Sequence, residues 1–353
     1  MGGDHFVILR RIEGEEVILQ DDDNIIDSVR NYFINHGNDT RVQVCGGVYV
    51  LTSNDYKQID VDHMIDCARV AERRIRHSRH DGYEFYNHDQ WEKGKRAAVL
   101  INHLPDAIKD GEIQVWYQPQ VNSKTNEITG AEALCRWKHP TLGWVSPGEF
   151  IPIMEEAGLI SDLDFYVWET VCKDLQRWNE QGKHQVVSVN LSRCDITEDR
   201  NIPDLFKKLI DKYEIKPDQL RVEITETGYV ESPDILIKTT ERLKKYGFQV
   251  EMDDFGSGYS SLNMLKDRIK LDLHFLRKSD YPEKSRTIIS YIVQMVHSLG
   301  MDMIAEGVET DEQSRFLQSK GCSEMQGYYF YKPMNVTDFE KISAHAGTGS
   351  TRL

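Results

Sequence analysis

The chain of 353 residues is long enough for one large domain with a smaller partner. Its composition, 39% hydrophobic and 29% charged, fits a soluble globular protein and excludes a disordered or collagen-like chain. A formal net charge of −15 argues against broad contact with a DNA or RNA backbone, which needs clustered lysine and arginine. The net charge is still compatible with binding of a small anionic ligand, provided that divalent cations reverse the local charge.

The first 90 residues have an α+β pattern. A strand and a second extended arm are predicted at Phe6–Leu9 and Glu16–Gln20, followed by a helix after Asp23. The remaining elements of this part are predicted as a strand, a helix and a strand at 41–50, 61–78 and 83–86. The polar stretch 87–95 has no strong period, so it is the candidate boundary between a segment 1–90 and a domain 94–345.

From Gly94 onward the chain repeats a strand followed by a helix. One helix begins at Ser232 and Pro233, an N-cap and first-turn pair, and Gly247 is placed to end it before a strand at 248–252. Gly300 and Gly321 are placed to end two later helices, before predicted strands at 301–305 and 325–330. This alternation over roughly 250 residues is typical of a parallel α/β fold and favours a (β/α) barrel. Residues 346–353 are predicted to form a flexible tail.

Neither the apolar stretches nor the cysteines indicate export or a membrane. The longest apolar stretches fall short of the roughly 18 to 20 residues that span a bilayer, and no apolar signal region follows Met1. The six cysteines form no CxxC pair and lie near no histidine cluster, which is typical of reduced thiols. We therefore expect a cytoplasmic protein without a membrane span.

Charged or amide side chains follow the apolar part of most predicted strands. In a barrel the carboxyl ends of the strands converge on one mouth, so these residues are expected to share one site. Carboxylates crowded in a partly dry pocket cannot all stay ionised unless cations are bound between them. An all-oxygen donor set suits Mg²⁺ or Mn²⁺ better than zinc. The residues are Glu132, Asn190, Glu223, Asp253, Asp254, Lys270, Glu306 and Gln326.

Each of these residues also has a less specific interpretation. A single strand-end carboxylate is more often a helix cap or an ion-pair partner than a ligand, and only the repetition favours a site. Lys270 alone would be a surface ammonium, but its apolar strand predicts that it is drawn into the mouth, where it requires a carboxylate partner. Gly256 and Gly258 fit either an ordinary turn or a movable loop that completes a metal site.

The polar residues stand in short blocks that, in this order, resemble the EAL-domain phosphodiesterases of cyclic di-GMP. The resemblance extends over nearly all of the chain from Gly94 to about Ile342. It implies a modified (β/α)₈ barrel of the TIM-like kind whose first strand is antiparallel. The blocks are Trp116–Pro119, Glu132–Leu134 with Arg136, Phe150–Pro152, Ser188–Ser192, Glu223–Glu226, Asp253–Gly256, Lys270–Asp272, Ala305–Glu309 and Gln326–Tyr328.

The resemblance implies hydrolysis of cyclic di-GMP to the linear dinucleotide pGpG in bacterial signalling, with Mg²⁺ or Mn²⁺ and two ions per site. The implied metal ligands are Glu132, Asn190, Glu223 and Asp253, with Asp254 for a second ion. Lys270 and Glu306 are implied to position or deprotonate the attacking water, and Glu132 is counted with them as catalytic. The implied substrate contacts are Gln118, Leu134, Arg136, Glu309 and Gln326. The implied loop supports are Glu226, Phe255, Gly256, Ser257 and Gly258.

Departures from the family pattern leave these ligands in place. Leu273 and His274 stand where the family usually has Arg and Ser, and Met154 replaces a usual Ala. The family often forms dimers, so a homodimer through the barrel is a further expectation.

Segment 1–90 resembles the C-terminal half of a degenerate GGDEF cyclase domain. The resemblance begins inside the signature, at Gly2–Phe6, where His5 replaces an acidic residue. The upstream half of such a domain, with its metal-binding aspartate, is absent from this sequence. We therefore expect no cyclase activity.

Two functions compete with hydrolysis. The barrel could bind cyclic di-GMP as a receptor without cleaving it, or it could be an idle module beside a half-domain that recruits a partner. The intact set of Glu132, Lys270 and Glu306 with the glycine loop favours the hydrolase, because a pure receptor has no need of it.

Overall fold

The computed structural model describes residues 6–9, 11, 23–29, 31–32, 35, 43–53, 55–76, 82–225, 233–255, 268–273 and 282–345. The chain divides into two compact units, Met1–Val99 and Leu100–Leu353. The predicted arm at 16–20 and the predicted tail at 346–353 lie outside the described residues. The domain limits expected from the sequence stay predictions.

The first unit contains a strand–helix–strand motif. Strands β1 (Cys45–Val48) and β2 (Gly82–Phe85) pair in parallel, and helix α1 (Val61–Arg76) connects them. The helix packs closely on β1 because Gly47 has no side chain. A Cβ atom at Gly47 would lie 1.8 Å from the Ala68 carbonyl oxygen. Residues 23–29 are helical, as the pattern after Asp23 predicts.

One strand predicted for this unit is wrong. Residues 6–9 have no regular structure, and all four of their apolar side chains are exposed, from 66% at Ile8 to 86% at Leu9. A strand is stabilised by the ladder of a neighbouring strand, and the described part of the unit offers this segment none. A run of four apolar residues is therefore not sufficient to predict a strand here.

The second unit is a closed barrel of eight strands. In order around the ring these are β3, β11, β10, β9, β8, β7, β6 and β4, and β4 pairs again with β3. Strand β3 is antiparallel to both of its neighbours, whereas the strands from β6 to β10 are parallel to one another. The strands are β3 (Ile113–Asn122), β4 (Glu127–His139), β6 (Val187–Asn190), β7 (Leu220–Thr225), β8 (Gln249–Phe255), β9 (Arg268–Asp272), β10 (Asp302–Glu306) and β11 (Glu324–Met325). The predicted modified barrel with an antiparallel first strand is confirmed.

Two short strands extend this sheet, and helices cover the outside of the barrel. Strand β5 (Gly143–Val145) pairs with β4, and β12 (Met334–Asn335) pairs with β3. Aromatic side chains fill the space between helices and strands; the rings of Trp168 and Phe206, for example, lie 4.5 Å apart. The helices are α2 (His88–Lys109), α3 (Pro147–Glu156), α4 (Ile160–Glu180), α5 (Ile202–Lys212), α6 (Pro233–Lys245), α7 (Pro282–Ser298), α8 (Asp311–Ser319) and α9 (Val336–His345).

The helix ends follow the local chemistry of the sequence. Gly247, Gly300 and Gly321 each follow a helix and have φ angles of +92°, +68° and +99°, which favour glycine. At the start of α8, Thr310 and Gln313 form a reciprocal capping box. The polar stretch 87–95 is mostly helical and belongs to the start of α2, so its lack of an apolar period did not mark a loop.

The strand predicted at 325–330 is wrong beyond its first residue. Strand β11 ends at Met325; the Gln326 main-chain N–H still donates to the Ala305 carbonyl at 2.8 Å, and the chain then turns. Gly327 permits this turn, because a Cβ atom there would lie 2.1 Å from the Val308 carbonyl oxygen. The turn places the Gln326 side chain inside the barrel, where it is almost fully buried.

A helix that crosses a bilayer needs about 20 mostly apolar residues. None of the helices in the part of the chain that the structure describes could cross a membrane.

Candidate active site

The carboxyl ends of the parallel strands bring the predicted polar residues into one cluster. Neighbouring strands place Asn190 beside Glu223, and Thr225 beside Asp253, in register. Because successive side chains of a strand point to opposite faces, the residues two positions apart share the inner face of the barrel. Glu132 comes from β4, Glu223 from β7, Asp253 from β8, Lys270 from β9 and Glu306 from β10.

Lys270 lies at the centre of this cluster. Its Nζ atom is 2.6 Å from a carboxylate oxygen of Glu223 and 2.6 Å from one of Glu306. It also lies 3.2 Å from Asp253 and 3.3 Å from Glu132, and the side chain is fully buried. The Lys270 ammonium therefore forms ion pairs with four carboxylates, whereas the sequence predicted only that it requires one carboxylate partner.

Glu132 accepts hydrogen bonds from two side-chain amides elsewhere in the barrel. The Asn190 amide Nδ2 donates to Oε1 at 3.2 Å, and the Gln326 amide Nε2 donates to Oε2 at 2.6 Å. Since Asn190 must turn its NH₂ group toward a carboxylate, its carbonyl oxygen Oδ1 faces away from Glu132. The Trp168 indole donates to the Asn190 main-chain oxygen at 2.9 Å and fixes the end of β6.

Burial and crowding shift the charges of the cluster. Burial, with the neighbouring Glu132 charge, raises the pKa of Glu223 well above its usual value, and burial likewise raises the pKa of Glu306. For Lys270 burial lowers the pKa, but the carboxylates around it outweigh this and the pKa is raised well above normal. Burial and the adjacent Asp253 raise the pKa of Asp254 to about 6. The cluster therefore favours any further cation.

A comparison with known proteins identifies this arrangement. The sequence profile of the EAL domain matches residues 101–333. The chain belongs to the EAL domain family. The resemblance seen in the sequence is therefore confirmed for the barrel, while the GGDEF-like origin of segment 1–90 stays a prediction.

The chain is similar to longer proteins that include a signaling protein and an oxygen sensor protein. It is 31% identical to the signaling protein YkoW of Bacillus subtilis, over 97% of this chain and 43% of that protein. It is 33% identical to the oxygen sensor protein DosP of Escherichia coli, over 77% of this chain and 35% of that protein. The chain thus spans less than half of the length of these relatives.

A solved structure resembles the barrel closely. The PaMucR phosphodiesterase in its c-di-GMP complex is 30% identical, with a TM-score of 0.65, over 68% of this chain and 99% of that chain. The barrel of this chain therefore has the same fold as a phosphodiesterase whose structure is a complex with c-di-GMP.

The donor chemistry of the EAL site fits divalent metal ions, on which phosphodiesterases of this family depend. The groups that converge are carboxylate and amide oxygens, the ligands that Mg²⁺ and Mn²⁺ prefer. Glu223 Oε1 is buried and has no hydrogen-bond partner among the described residues, so it could bind a cation. In the same described part, no three acidic, histidine or cysteine side chains are arranged to hold an ion. The carboxylates point to Lys270 instead.

The predicted substrate contacts lie mostly along β3 and β4. The Gln118 amide donates to the Tyr331 main-chain oxygen at 3.2 Å and accepts from Gln326 at 3.2 Å. The Arg136 guanidinium lies 5.9 Å from the Trp116 ring and donates to the Cys135 carbonyl at 2.8 Å. Leu134 stands between Glu132 and Arg136 on β4 and is half-buried. Glu309 is exposed before α8.

Part of the predicted loop cannot be placed. Glu226, Gly256, Ser257 and Gly258 lie outside the described residues, as does His274. Phe255, at the end of β8, is buried. Asp254 precedes it with a left-handed backbone, φ +57°, which is uncommon for a residue other than glycine. Met154 and Leu273, the two departures that are described, are both buried in the apolar core.

A second polar layer, not predicted from the sequence, lies below the carboxylates. Glu251 forms ion pairs with Arg268 at 3.0 Å and with Arg221 at 3.5 Å. Arg268 also pairs with Glu324. Each of these residues stands two positions before a residue that faces the inside of the barrel, so the period of the strands could have revealed it. The pairs are Glu251 and Asp253, Arg268 and Lys270, Arg221 and Glu223, and Glu324 and Gln326. Gln120, two positions after Gln118, belongs to the same layer and is fully buried.

Proposed function

We propose that this EAL domain hydrolyses cyclic di-GMP to pGpG as part of bacterial second-messenger signalling. One observation carries the proposal: Glu132, Asp253 and Glu306 meet around a fully buried Lys270 at the carboxyl ends of the strands. Buried charges are costly, and a protein that only binds a nucleotide does not need them. A set of acid, base and cationic groups in one place is what phosphodiester hydrolysis uses.

Mg²⁺ or Mn²⁺ would be held by Glu132, Asn190, Glu223 and Asp253, with Asp254 beside a second ion. Bound divalent ions lower the pKa of a coordinated water and offset the charge of the phosphodiester. Asn190 can offer its carbonyl oxygen to an ion, because its NH₂ group and not this oxygen contacts the carboxylate. Without such cations the negative charge of the cluster would repel an anionic substrate.

Side chains of β3 and β4, together with those that follow β10 and β11, would hold the nucleotide. Arg136 supplies charged donors suited to a phosphate or a guanine carbonyl. Gln118 and Gln326 present amides from the inner face, and Leu134 supplies an apolar surface between them and Arg136. Glu309, at the exposed rim, offers an acceptor for the amino group of a guanine base.

Glu306 and Lys270 would act on the attacking water. The water oxygen forms a bond to phosphorus, the bond from phosphorus to the ribose O3′ breaks, and the O3′ leaving group takes up a proton. Glu306 would take the proton of the water as a general base, because a carboxylate held beside the reacting groups can accept a proton in the transition state. Lys270, 2.6 Å from Glu306, holds this carboxylate in place and stabilises its charge.

The first test is direct. Protein incubated with cyclic di-GMP and Mg²⁺ or Mn²⁺ should produce pGpG, detected by chromatography. Ca²⁺ should support the reaction poorly, because it is larger and accepts looser geometry. Excess EDTA should stop turnover. Full turnover in EDTA would contradict the metal assignment, and no turnover with either metal would contradict the proposed function.

A receptor that binds cyclic di-GMP without cleaving it is the second candidate. One observation favours it: among the described residues, no three acidic, histidine or cysteine side chains are already arranged to hold a metal ion. The two functions separate in one experiment: a receptor would bind cyclic di-GMP in Mn²⁺ and release it unchanged after long incubation. pGpG formation that scales with protein concentration would exclude this alternative.

The GGDEF-like segment yields a prediction of its own. With GTP and Mg²⁺ the protein should form no cyclic di-GMP, because His5 replaces an acidic residue of the signature that the segment resembles. The product is measured by mass spectrometry in the presence of Ca²⁺, which should suppress any hydrolysis by the barrel. Cyclic di-GMP above the level of a protein-free sample would contradict this interpretation.

A further inference from the structure

A directional chain of hydrogen bonds connects the second polar layer to Glu132. The Arg221 guanidinium donates to Gln120 Oε1 at 3.3 Å, and Gln120 Nε2 donates to Gln326 Oε1 at 3.1 Å. Gln326 Nε2 then donates to Glu132 Oε2 at 2.6 Å. Gln120 is fully buried and Gln326 is almost so, which leaves no exchange with bulk water along the chain.

The chemistry of its ends fixes the direction of this chain. A guanidinium can only donate, so Gln120 must turn its oxygen to Arg221 and its NH₂ group to Gln326. Gln326 must then accept through its oxygen, and its own NH₂ group faces Glu132. An amide that presented its oxygen to Glu132 would repel the carboxylate instead of holding it.

A second constraint gives the same direction. The Tyr331 main-chain oxygen can only accept, so Gln118 turns its NH₂ group to Tyr331 and its oxygen to Gln326. Gln326 Nε2 donates to this oxygen at 3.2 Å. Gln118 and Gln120 therefore both favour the orientation of the Gln326 amide in which its NH₂ group donates to Glu132.

The packing keeps Gln120 in this chain. Arg221 is tied to the Gln249 side chain at 3.0 Å and to Glu251 at 3.5 Å, so it cannot turn away from the barrel interior freely. Gly130 provides the room: a Cβ atom there would lie 3.1 Å from Gln120 Oε1 and 3.5 Å from Arg221. The positions of Arg221, Gln120 and Gly130 are therefore set by strands β7, β3 and β4.

We propose that Gln120 is a positioning residue, which sets the orientation of the Gln326 amide and through it the orientation of the Glu132 carboxylate. This inference rests on the proposed function, in which Glu132 binds a metal ion. Gln120 need not touch the substrate or the metal. Gln120 affects the metal site only indirectly: it determines whether Gln326 turns its NH₂ group or its oxygen toward Glu132.

Gln120→Glu tests the inference, because it reverses the group that faces Gln326. A glutamate beside Arg221 stays ionised and can only accept, so Gln326 should turn its NH₂ group to it and leave Glu132 without that donor. Outer partners of metal ligands typically change affinity about 10- to 100-fold, and we expect Mn²⁺ binding, measured by calorimetry, to weaken by this amount. An added negative charge alone would tighten Mn²⁺ binding. Equal or tighter binding would therefore overturn the inference.

Two further variants keep the test decisive. Gln120→Met removes the donor without adding charge, so a folded Gln120→Met protein should also bind Mn²⁺ more weakly; unchanged affinity would overturn the inference. Gln219 is another buried amide, bound to Asn179 and to the Gln185 carbonyl away from the barrel interior. Gln219→Met should leave Mn²⁺ affinity unchanged, and an equal loss there would show that the Gln120 effect is general loosening.

Activity separates this inference from the proposed function. Gln120→Glu should lower kcat for cyclic di-GMP about 10- to 100-fold, with partial recovery at high Mn²⁺. A wild-type protein that forms no pGpG would refute the proposed function. An active wild-type protein whose Gln120→Glu variant retains full kcat and full Mn²⁺ affinity would refute only the role of Gln120.

Discussion

Glu132→Gln should stop the hydrolysis of cyclic di-GMP while the barrel stays folded. The substitution keeps the shape of the side chain but replaces a charged oxygen by an NH₂ group. That group would face donors, since Glu132 accepts from Asn190 and Gln326 and lies 3.3 Å from Lys270. Loss of an essential acidic group typically costs about 10² to 10⁴ in rate, and loss of a metal ligand should add to this.

The measurement is single-turnover cleavage in Mg²⁺, together with the melting temperature and Mn²⁺ affinity. Glu127 lies on the same strand and is exposed, so Glu127→Gln is the matched control and should cleave at the wild-type rate. Near wild-type formation of pGpG by Glu132→Gln would contradict the assignment of Glu132. A large fall in melting temperature with activity following the folded fraction would indicate a structural role only.

Much of this site could be predicted because it obeys two regular rules. Parallel strands end at one mouth, and side chains two residues apart share a face. Glu223, Asp253 and Glu306 each follow an apolar strand, so their convergence was visible before the structure. The antiparallel first strand was not visible in this way. Pattern alone predicted a regular barrel, and only the family resemblance indicated that β3 runs against its neighbours.

The remaining features depend on contacts between residues that are far apart in the sequence. The segment 6–9 is apolar enough for a strand, but a strand forms only when a neighbouring strand pairs with it, and the segment's own sequence does not indicate such a strand. Residues after Met325 leave the sheet because Gly327 allows the chain to pass close to Val308. The layer of Arg221, Glu251 and Arg268 has the right period, yet charged residues inside a barrel are costly, and they were not expected there.

Lys270→Met should give the largest combined loss of stability and activity. Lys270 contacts Glu132, Glu223, Asp253 and Glu306, and no other ion-pair partner of these four carboxylates lies among the described residues. Removing one partner of a buried ion pair typically costs about 3–5 kcal/mol in the free energy of unfolding. Methionine fills the space of the lysine stem, so this loss would come from charge rather than from a cavity.

Divalent cations should then separate the two roles of Lys270. Mn²⁺ can compensate the carboxylates, so it should raise the melting temperature of Lys270→Met more than that of the wild type. It cannot replace the group that holds Glu306 beside the water, so cleavage at saturating Mn²⁺ should stay about 10²- to 10⁴-fold low. Lys173→Met removes an exposed ion pair with Glu169 and should change neither property measurably. If Mn²⁺ restored cleavage together with stability, Lys270 would be a structural counter-ion and not part of the reaction.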